Sequence, residues 1–215
     1  MEERPEMPDE RPQRRREYSG AGSTLGAAAV IILAVGVAIW YFEFAGGSTS
    51  SSTEAGYGIV ALPDELNPTG EPAVAQEGRA APNFTLATVE GEERSLVDFR
   101  GDYVLVNFWA TWCPPCRAET PRLQNFYEDH RDQGIVIVGV NQQETPERAG
   151  GFAEDFGVTY PMLLDRTGEV SDGYRVSTQM PVSYLVDPDG VVVDVHLGEV
   201  LPGDLEELLE RHVRS

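Results

Sequence analysis

The stretch "NFWATWCPPCRAETP", residues 107–121, contains the only two cysteines of the 215-residue chain, Cys113 and Cys116. A disulfide between cysteines so close in sequence would restrain little chain entropy, so it would be a poor structural staple. A four-ligand zinc site would need further ligands, and the three histidines stand in no ligand-like spacing to the cysteines. The pair is therefore predicted to be redox-active, and neither a metal nor a cofactor is predicted.

The residues around the pair predict a strand, a tight turn and a helix. "YVLVNFWA", residues 103–110, is a continuous apolar run typical of a buried central strand. From Pro114 to about Arg131 the pattern becomes helical, which places Cys113 at the helix N-terminus. Backbone N–H groups and the helix dipole favour a thiolate there. We therefore expect Cys113 to attack and Cys116, one turn further in, to resolve the mixed disulfide.

The prolines between the cysteines fit the first turn of this helix. Pro114 and Pro115 lack an N–H group, and its absence costs little at a helix start. Their fixed backbone should stiffen the loop and fix the separation of the two sulfurs.

Strands alternate with helices over the rest of the domain, which predicts an α/β sandwich. Hairpins are expected over 81–99, with the bend at Glu90–Gly91, and over 182–198, with the bend at Asp187–Gly190. Asp204 is expected to cap the last helix. The other predicted elements are strands at 135–141 and 160–165 and helices at 146–157, 169–176 and 204–213.

An uncharged segment near the N-terminus predicts a membrane span. Residues 25–42 are apolar throughout and end in the aromatic cluster Trp40–Phe42, which suits a membrane interface. Arg14–Arg16 precede the segment, so the positive-inside rule places the N-terminus in the cytoplasm and the following domain outside.

A cleaved signal peptide is the alternative reading of this segment. The apolar run is longer than a usual signal core, and no clean Ala-x-Ala site precedes Gly46, so a retained single-pass signal anchor is favoured. The predicted organisation is a cytoplasmic disordered tail (1–17), a transmembrane anchor (18–45), a flexible linker (46–77) and the α/β domain (78–215).

The charge balance excludes one class of partner. The chain has a formal net charge of −20, and all its cationic side chains other than histidine are arginine. So acidic a protein is a poor ligand for nucleic acid, and none is predicted to bind.

The run from "APNFTL" through "LVNFWATWCPPCRAETP" to "MPVSYLVDPDG" resembles the TlpA/ResA/CcmG-like membrane-anchored thiol–disulfide oxidoreductases. The resemblance covers about residues 78–213. It implies a thioredoxin-like fold of the redoxin superfamily, with an N-terminal β-hairpin and a central insertion that residues 142–165 would match.

The resemblance also implies roles for residues outside the cysteine pair. Pro181 matches the cis-proline of the family, which faces the cysteines, and with Met180 it would offer backbone to an extended substrate. Its strand reads Pro-Val-Ser-Tyr, where the family more often shows Pro-Thr-Thr-Phe, so substrate choice is open. Trp112 would shield the sulfurs, unless it is a core aromatic.

Two polar residues complete the implied site. Glu119 stands where the family carries an acidic residue, and it could relay a proton or raise a thiol pKa as a like charge. The alternative is a solvated carboxylate in the first turns of the helix. Asn107 occupies the position of the buried aspartate of ordinary thioredoxins. The resemblance therefore implies that Glu119, rather than residue 107, acts as the acid–base group.

Several functions remain open from the sequence. The leading one is a reductase of disulfides outside the cytoplasmic membrane; the resemblance implies apocytochrome c or a metal-site assembly protein as client and a membrane thiol carrier as electron donor. A disulfide-forming oxidase is the nearest rival, because the same fold serves both directions. A peroxiredoxin-like peroxidase would need a Pro-x-x-x-Thr-x-x-Cys setting, which is absent here. A binding or chaperone domain with incidental cysteines is the remaining alternative.

The anchor prediction is open to a direct test. We expect the protein to stay with the membrane fraction through residues 18–45, and its C-terminal domain to be protease-accessible in spheroplasts. A soluble mature form that begins near Gly46 would instead support the signal-peptide alternative.

Overall fold

The computed structural model describes residues 32–35, 37, 57–176 and 179–213. The chain divides into two units, Met1–Ser52 and Thr53–Ser215. In the first unit the described residues are helical, and the rest of the predicted anchor and the predicted tail lie outside the described residues. Within the described ranges, no helix has both the length and the apolar character that a membrane crossing requires. The anchor therefore stays a prediction.

The second unit is an α/β fold that follows the predicted order of elements. Its strands are β1 (Gly58–Ile59), β2 (Phe84–Ala87), β3 (Glu93–Ser95), β4 (Tyr103–Trp109), β5 (Ile135–Gln142), β6 (Met162–Asp165), β7 (Val182–Val186) and β8 (Val192–Leu197). Its α-helices are α1 (Pro114–His130), α2 (Pro146–Phe156), α3 (Glu169–Gly173) and α4 (Asp204–Leu208).

A five-stranded sheet in the order β6-β5-β4-β7-β8 forms the centre of this unit. β4, β5 and β6 run parallel, whereas β7 is antiparallel to β4. β4 is buried on both faces, with Leu105 and Trp109 in one apolar cluster and Val106 and Phe108 in the other. Because successive side chains of a strand point to opposite faces, an unbroken apolar run suits this position. The predicted central strand is confirmed, and its C-terminal end leads directly into the cysteine loop.

The first predicted hairpin is also confirmed, and it belongs to a small second sheet. β2 and β3 pair antiparallel through Thr85 and Ser95, and Gly91 in the connecting turn has φ 89°, a left-handed conformation that glycine adopts without strain. β1 extends this sheet, with Ile59 opposite Phe84. Residues 57–77, which the sequence assigned to a flexible linker, are thus joined to the domain by strand pairing, and the folded unit includes them.

The segment 142–165 contributes a helix and an edge strand. α2 ends at Gly157, whose φ of 64° caps the helix, and β6 pairs with β5 at the edge of the central sheet. This is the position of the insertion that the family resemblance implies.

One capping prediction is wrong. Gly203 is the residue before α4, and Asp204 lies inside its first turn. The Asp204 carboxylate instead accepts a hydrogen bond from the Leu201 backbone N–H at 2.7 Å, so it holds the loop that leads into the helix. After Leu208 the chain continues as a π-helical turn, Leu209–Val213.

Candidate active site

Cys113 and Cys116 are joined by a disulfide, with their Cα atoms 5.3 Å apart. Cys113 is the N-cap residue of α1, and its sulfur accepts a hydrogen bond from the Cys116 backbone N–H at 3.3 Å. The pair is buried in this oxidised state: Cys113 is 3% exposed and Cys116 is 0% exposed. Exposure therefore separates the two sulfurs only slightly, and the N-cap position is what distinguishes Cys113.

The two prolines determine which backbone N–H group faces the Cys113 sulfur at the N-cap. Pro114 and Pro115 occupy the first positions of α1 and carry no N–H group. The first backbone N–H of the helix is thus that of Cys116, and it points at the Cys113 sulfur. A thiolate on Cys113 would keep this donor and gain from the helix dipole.

Trp112 lies on the surface beside the pair. Its side chain is 60% exposed, whereas Trp109, three residues earlier, is 2% exposed and packs on Phe152 with ring centroids 4.5 Å apart. The core-aromatic alternative for Trp112 is therefore wrong, and Trp109 has that role.

Pro181 lies at the start of β7, at the end of the sheet where β4 leads into the cysteine loop. The Met180–Pro181 peptide bond is cis. The next residue, Val182, pairs with Phe108 of β4. Met180 is partly buried and packs against the apolar cluster that contains both cysteines. The structure thus brings these two predicted residues to the cysteine end of the sheet.

Glu119 lies one helical turn after Cys116 and is 0% exposed. Its carboxylate accepts hydrogen bonds from the Asn107 side-chain amide at 2.9 Å and from the Val200 backbone N–H at 2.8 Å. The solvated-carboxylate alternative is therefore wrong.

The surroundings of Glu119 shift its proton affinity strongly. Burial raises the pKa of its carboxyl from the ordinary 4.5 to about 7, although the hydrogen bonds from Val200 and Asn107 and the nearby His196 oppose the shift. Residues one turn apart on a helix face are neighbours. The fold therefore provides a group that exchanges a proton near neutral pH close to Cys116.

Asn107 and Ser183 extend this polar contact across the sheet. The two residues are cross-strand partners in β4 and β7, and the Asn107 amide also donates to the Ser183 hydroxyl at 3.0 Å. Sequence reasoning did not assign Ser183 to the site. The sequence feature that could have indicated Ser183 is the segment Pro-Val-Ser-Tyr, which departs from the family pattern at this residue.

A second buried carboxylate, Glu144, was also missed. It accepts hydrogen bonds from both the backbone N–H and the hydroxyl of Thr111, at 2.7 and 2.6 Å. Thr111 is two residues before Cys113, so Glu144 contacts the active-site loop directly. A signal for it lay in the topology, because the ends of the parallel strands β4 and β5 meet at one edge of the sheet.

Comparison with known proteins agrees with this geometry. A profile of the AhpC/TSA family matches residues 78–195, more than half of the chain. The chain belongs to the AhpC/TSA family. The chain is 38% identical over 138 residues to the thioredoxin-like protein YneN of Bacillus subtilis, covering 63% of this chain and 79% of that protein.

Other relatives carry a more specific name. The thiol-disulfide oxidoreductase ResA of Geobacillus thermodenitrificans is 39% identical over 133 residues, covering 62% of this chain and 76% of that protein. ResA of Bacillus subtilis is 41% identical over 122 residues, covering 57% and 68%.

Solved structures give the same fold. The thioredoxin domain of a thiol-disulfide oxidoreductase from Bacteroides vulgatus has a TM-score of 0.57 and 33% identity, covering 64% of this chain and 98% of that one. StoA from Bacillus subtilis has a TM-score of 0.52 and 29% identity, covering 63% and 98%. The predicted thioredoxin-like fold is confirmed, and with its cysteine pair the protein is a thiol–disulfide oxidoreductase of the ResA type.

The buried carboxyl of Glu119 predicts a pH-dependent stability. Because its pKa is raised on folding, its contribution to the free energy of unfolding is full below pH 4.5 and is lost as the pH rises to about 7. Glutamine cannot ionise, and its NH₂ group at this position can be satisfied if the Asn107 amide rotates so that its oxygen accepts from that group and from the Ser183 hydroxyl. Glu119→Gln should therefore gain stability relative to the wild type between these pH values, by up to about 3 kcal/mol.

Urea unfolding of the oxidised full-length protein at pH 5 and pH 8 measures this difference. Asp129→Asn removes an exposed charge from the same helix and is the matched control. A constant difference between Glu119→Gln and the wild type at both pH values would show that Glu119 has an ordinary pKa.

Proposed function

We propose that this protein reduces disulfides in client proteins outside the cytoplasmic membrane. The observation that carries the proposal is the buried carboxyl of Glu119 one turn from Cys116, with its pKa raised to about 7. Apocytochrome c or a metal-site assembly protein is the proposed client, by resemblance to the family. A membrane thiol carrier is the proposed electron donor, and the segment 18–45 is the proposed anchor that keeps the domain at the outer face of the cytoplasmic membrane.

Electrons pass to the client in two exchange steps. The Cys113 thiolate attacks one sulfur of the client disulfide, which forms a mixed disulfide and releases a client thiolate that takes up a proton. Cys116 then loses its proton to the Glu119 carboxylate and attacks the Cys113 sulfur. The second client thiolate leaves, the client has gained two electrons, and the protein holds the Cys113–Cys116 disulfide seen in the structure.

The carboxyl of Glu119 also favours the reducing direction. When it is ionised it repels a thiolate on either cysteine, and a destabilised thiolate destabilises the reduced form of the couple. A strong oxidant needs the opposite, a low thiol pKa that stabilises the reduced form. The helix dipole at Cys113 works against the carboxylate, so the balance of the two determines the potential.

The rival functions fit less well. An oxidase would use the same cysteines but would require a stabilised thiolate without an opposing carboxylate nearby. A peroxidase would require the peroxidatic sequence that this chain lacks, and the relatives cited above are named for thiol–disulfide exchange. For a passive binding domain, the proton-exchanging carboxyl beside a redox pair would have no use.

The roles of the two cysteines predict different reactivities. In the reduced protein at neutral pH, Cys113 should alkylate faster than Cys116, because it is the N-cap residue and its sulfur faces the first N–H of the helix. Cys116→Ser should trap mixed disulfides with clients, whereas Cys113→Ser should not. Peptide mapping after a short pulse of iodoacetamide measures the first expectation. A faster Cys116 would reverse the assignment.

The reduction potential tests the proposed direction. We expect a Cys113–Cys116 couple at or below about −200 mV, well below the strong oxidants near about −120 mV. Glu119→Gln should shift the potential upward and lower the pH midpoint of thiol alkylation, with the larger effect above pH 7, where Glu119 is ionised. Redox titration against glutathione or dithiothreitol at pH 7 and 8 measures the potential, and Asp129→Asn is again the control. A wild-type potential near that of the strong oxidants would make the protein an oxidase.

A further inference from the structure

A buried carboxylate from another part of the chain, Glu144, contacts the loop that carries the attacking cysteine. Between the end of β4 and the start of α1, the turn Ala110–Cys113 is closed by one backbone hydrogen bond, from Cys113 N–H to the Ala110 carbonyl at 3.2 Å. Trp112 within it is mostly exposed and gives the turn little packing. Thr111 within the turn makes its short polar contacts with Glu144, and its carbonyl accepts a longer hydrogen bond from the Arg117 guanidinium at 3.5 Å.

The burial of the Glu144 carboxylate and its hydrogen-bond donors suit its contact with Thr111. Its side chain is 4% exposed, and one carboxylate oxygen accepts from the Thr111 backbone N–H while the other accepts from the Thr111 hydroxyl. The Asn141 amide donates to the first oxygen at 2.8 Å, and the Arg148 guanidinium lies 3.5 Å from the second. The backbone N–H and hydroxyl of Thr111, the Asn141 amide and the Arg148 guanidinium can all donate hydrogen bonds. A buried carboxylate needs such donors to compensate for the loss of water.

The backbone that carries Glu144 is itself held in an uncommon conformation. Gln143, the preceding residue, has φ 56°, a left-handed value that costs free energy for a residue other than glycine. Its N–H is bonded to the Asp165 carbonyl at 2.9 Å, and Pro146 begins α2 two residues after Glu144. The sharp turn at the end of β5 thus directs the Glu144 side chain toward Thr111. Asn141 pairs with Trp109 in the sheet, which sets the two loops side by side.

We propose that Glu144 is a positioning residue for thiol–disulfide exchange: its carboxylate fixes the Ala110–Cys113 turn and so holds the Cys113 sulfur at the start of α1. The proposal rests on the role of Cys113 as the attacking thiol. Without Glu144 the Thr111 N–H and hydroxyl lose their acceptors. The turn then samples other conformations, in which the Cys113 sulfur moves away from the Cys116 N–H and from the positive end of the helix dipole.

Two effects of Glu144 have opposite signs and can therefore be separated. Loss of positioning makes the Cys113 thiolate less stable, so the pH midpoint of its alkylation rises. Loss of a negative charge makes the thiolate more stable, so the midpoint falls. Glu144→Met removes both the acceptors and the charge at similar length. Glu144→Gln removes only the charge, because its oxygen can accept from Thr111 N–H and Asn141 while its NH₂ donates to the Thr111 hydroxyl.

The test is the pH profile of Cys113 alkylation in the reduced full-length protein. Glu144→Met should raise the midpoint and slow alkylation at pH 7 by about threefold to tenfold, the scale of the net contribution of one ordinary hydrogen bond. Glu144→Gln, which lacks the same charge but keeps partners for Thr111, should have a midpoint at or below that of the wild type. Glu147→Gln, an exposed neighbour in the first turn of α2, removes the same charge without contacting Thr111 and should match the wild type.

Two results would overturn the proposal. A lower midpoint in both Glu144→Met and Glu144→Gln would mean that the residue acts only through its charge. Equal midpoints in Glu144→Met and Glu144→Gln, which lack the same charge, would mean that the residue does not position Cys113 and only supports the fold, which urea unfolding of Glu144→Met would reveal as a lowered midpoint of denaturation.

A second pair of variants covers the case in which Glu144→Met does not fold. Thr111→Val removes the hydroxyl contact and keeps the buried charge, so it should raise the alkylation midpoint by a smaller amount, and Thr111→Ser should restore it. An unchanged profile in Thr111→Val would then overturn the proposal. Peptide mapping of the wild type identifies the faster cysteine independently, so an error in the role of Cys113 is distinguished from a failure of Glu144.

Discussion

The burial of Glu119 is the constraint on which much of this domain's C-terminal half depends. A carboxylate removed from water must find donors, and each hydrogen bond to a charged group contributes about 1.5–3 kcal/mol. One donor comes from Asn107 in the central strand, and the other is the Val200 backbone N–H in the loop after β8. Arg122, three residues further along α1, donates to the carbonyl of the same Val200 and pairs with Glu199. α1 therefore holds both polar groups of one residue in that loop.

The raised pKa of Glu119 shows that desolvation outweighs the hydrogen bonds to its carboxylate. Two neutral donors and a nearby histidine favour the charged form, yet desolvation is larger and moves the pKa to about 7. The site thus keeps a carboxyl that can release or accept a proton during thiol–disulfide exchange at neutral pH. The same arrangement makes the folded protein less stable when Glu119 is ionised than when it is protonated. The site therefore lowers the free energy of unfolding at neutral pH, and in return it has a carboxyl that can exchange a proton during the reaction.

Local signals in the sequence were sufficient for most of the fold and for the cysteine pair. The apolar run 103–110, the glycine that ends α2 and the turn at Asp187–Gly190 each specify their own conformation, and the structure has all three where they were expected. β1 escaped prediction because two residues carry no periodic signal, and its strand is defined only by pairing with Phe84 and Thr85. The capping prediction for Asp204 was one residue out because Gly203, with φ 97°, is the N-cap residue and Asp204 is the first residue of the helix.

The polar contacts of the site were beyond sequence reasoning for a different reason. A glutamate in the early turns of a helix is usually solvated, and nothing near Glu119 in the sequence indicates that Val200, 81 residues later, covers it. Likewise Glu144 is 33 residues from Thr111, and "QQETPE" reads as an ordinary approach to a helix. Both contacts arise only when the sheet brings the ends of distant strands together, so they are properties of the topology.

The two buried carboxylates act on the cysteines through different physical quantities. Glu119 lies on α1 one turn after Cys116, and its influence on the cysteines is electrostatic and varies with pH. Glu144 comes from the segment 142–165 and holds the turn before Cys113 through Thr111, so its proposed influence is chiefly on geometry. The same segment also reaches α1 through Arg117, whose guanidinium lies 5.4 Å from the Phe152 ring and 5.1 Å from the Phe156 ring of α2. Changes in this segment can therefore alter how Cys113 is presented to a client while the carboxyl that sets the proton balance stays in place.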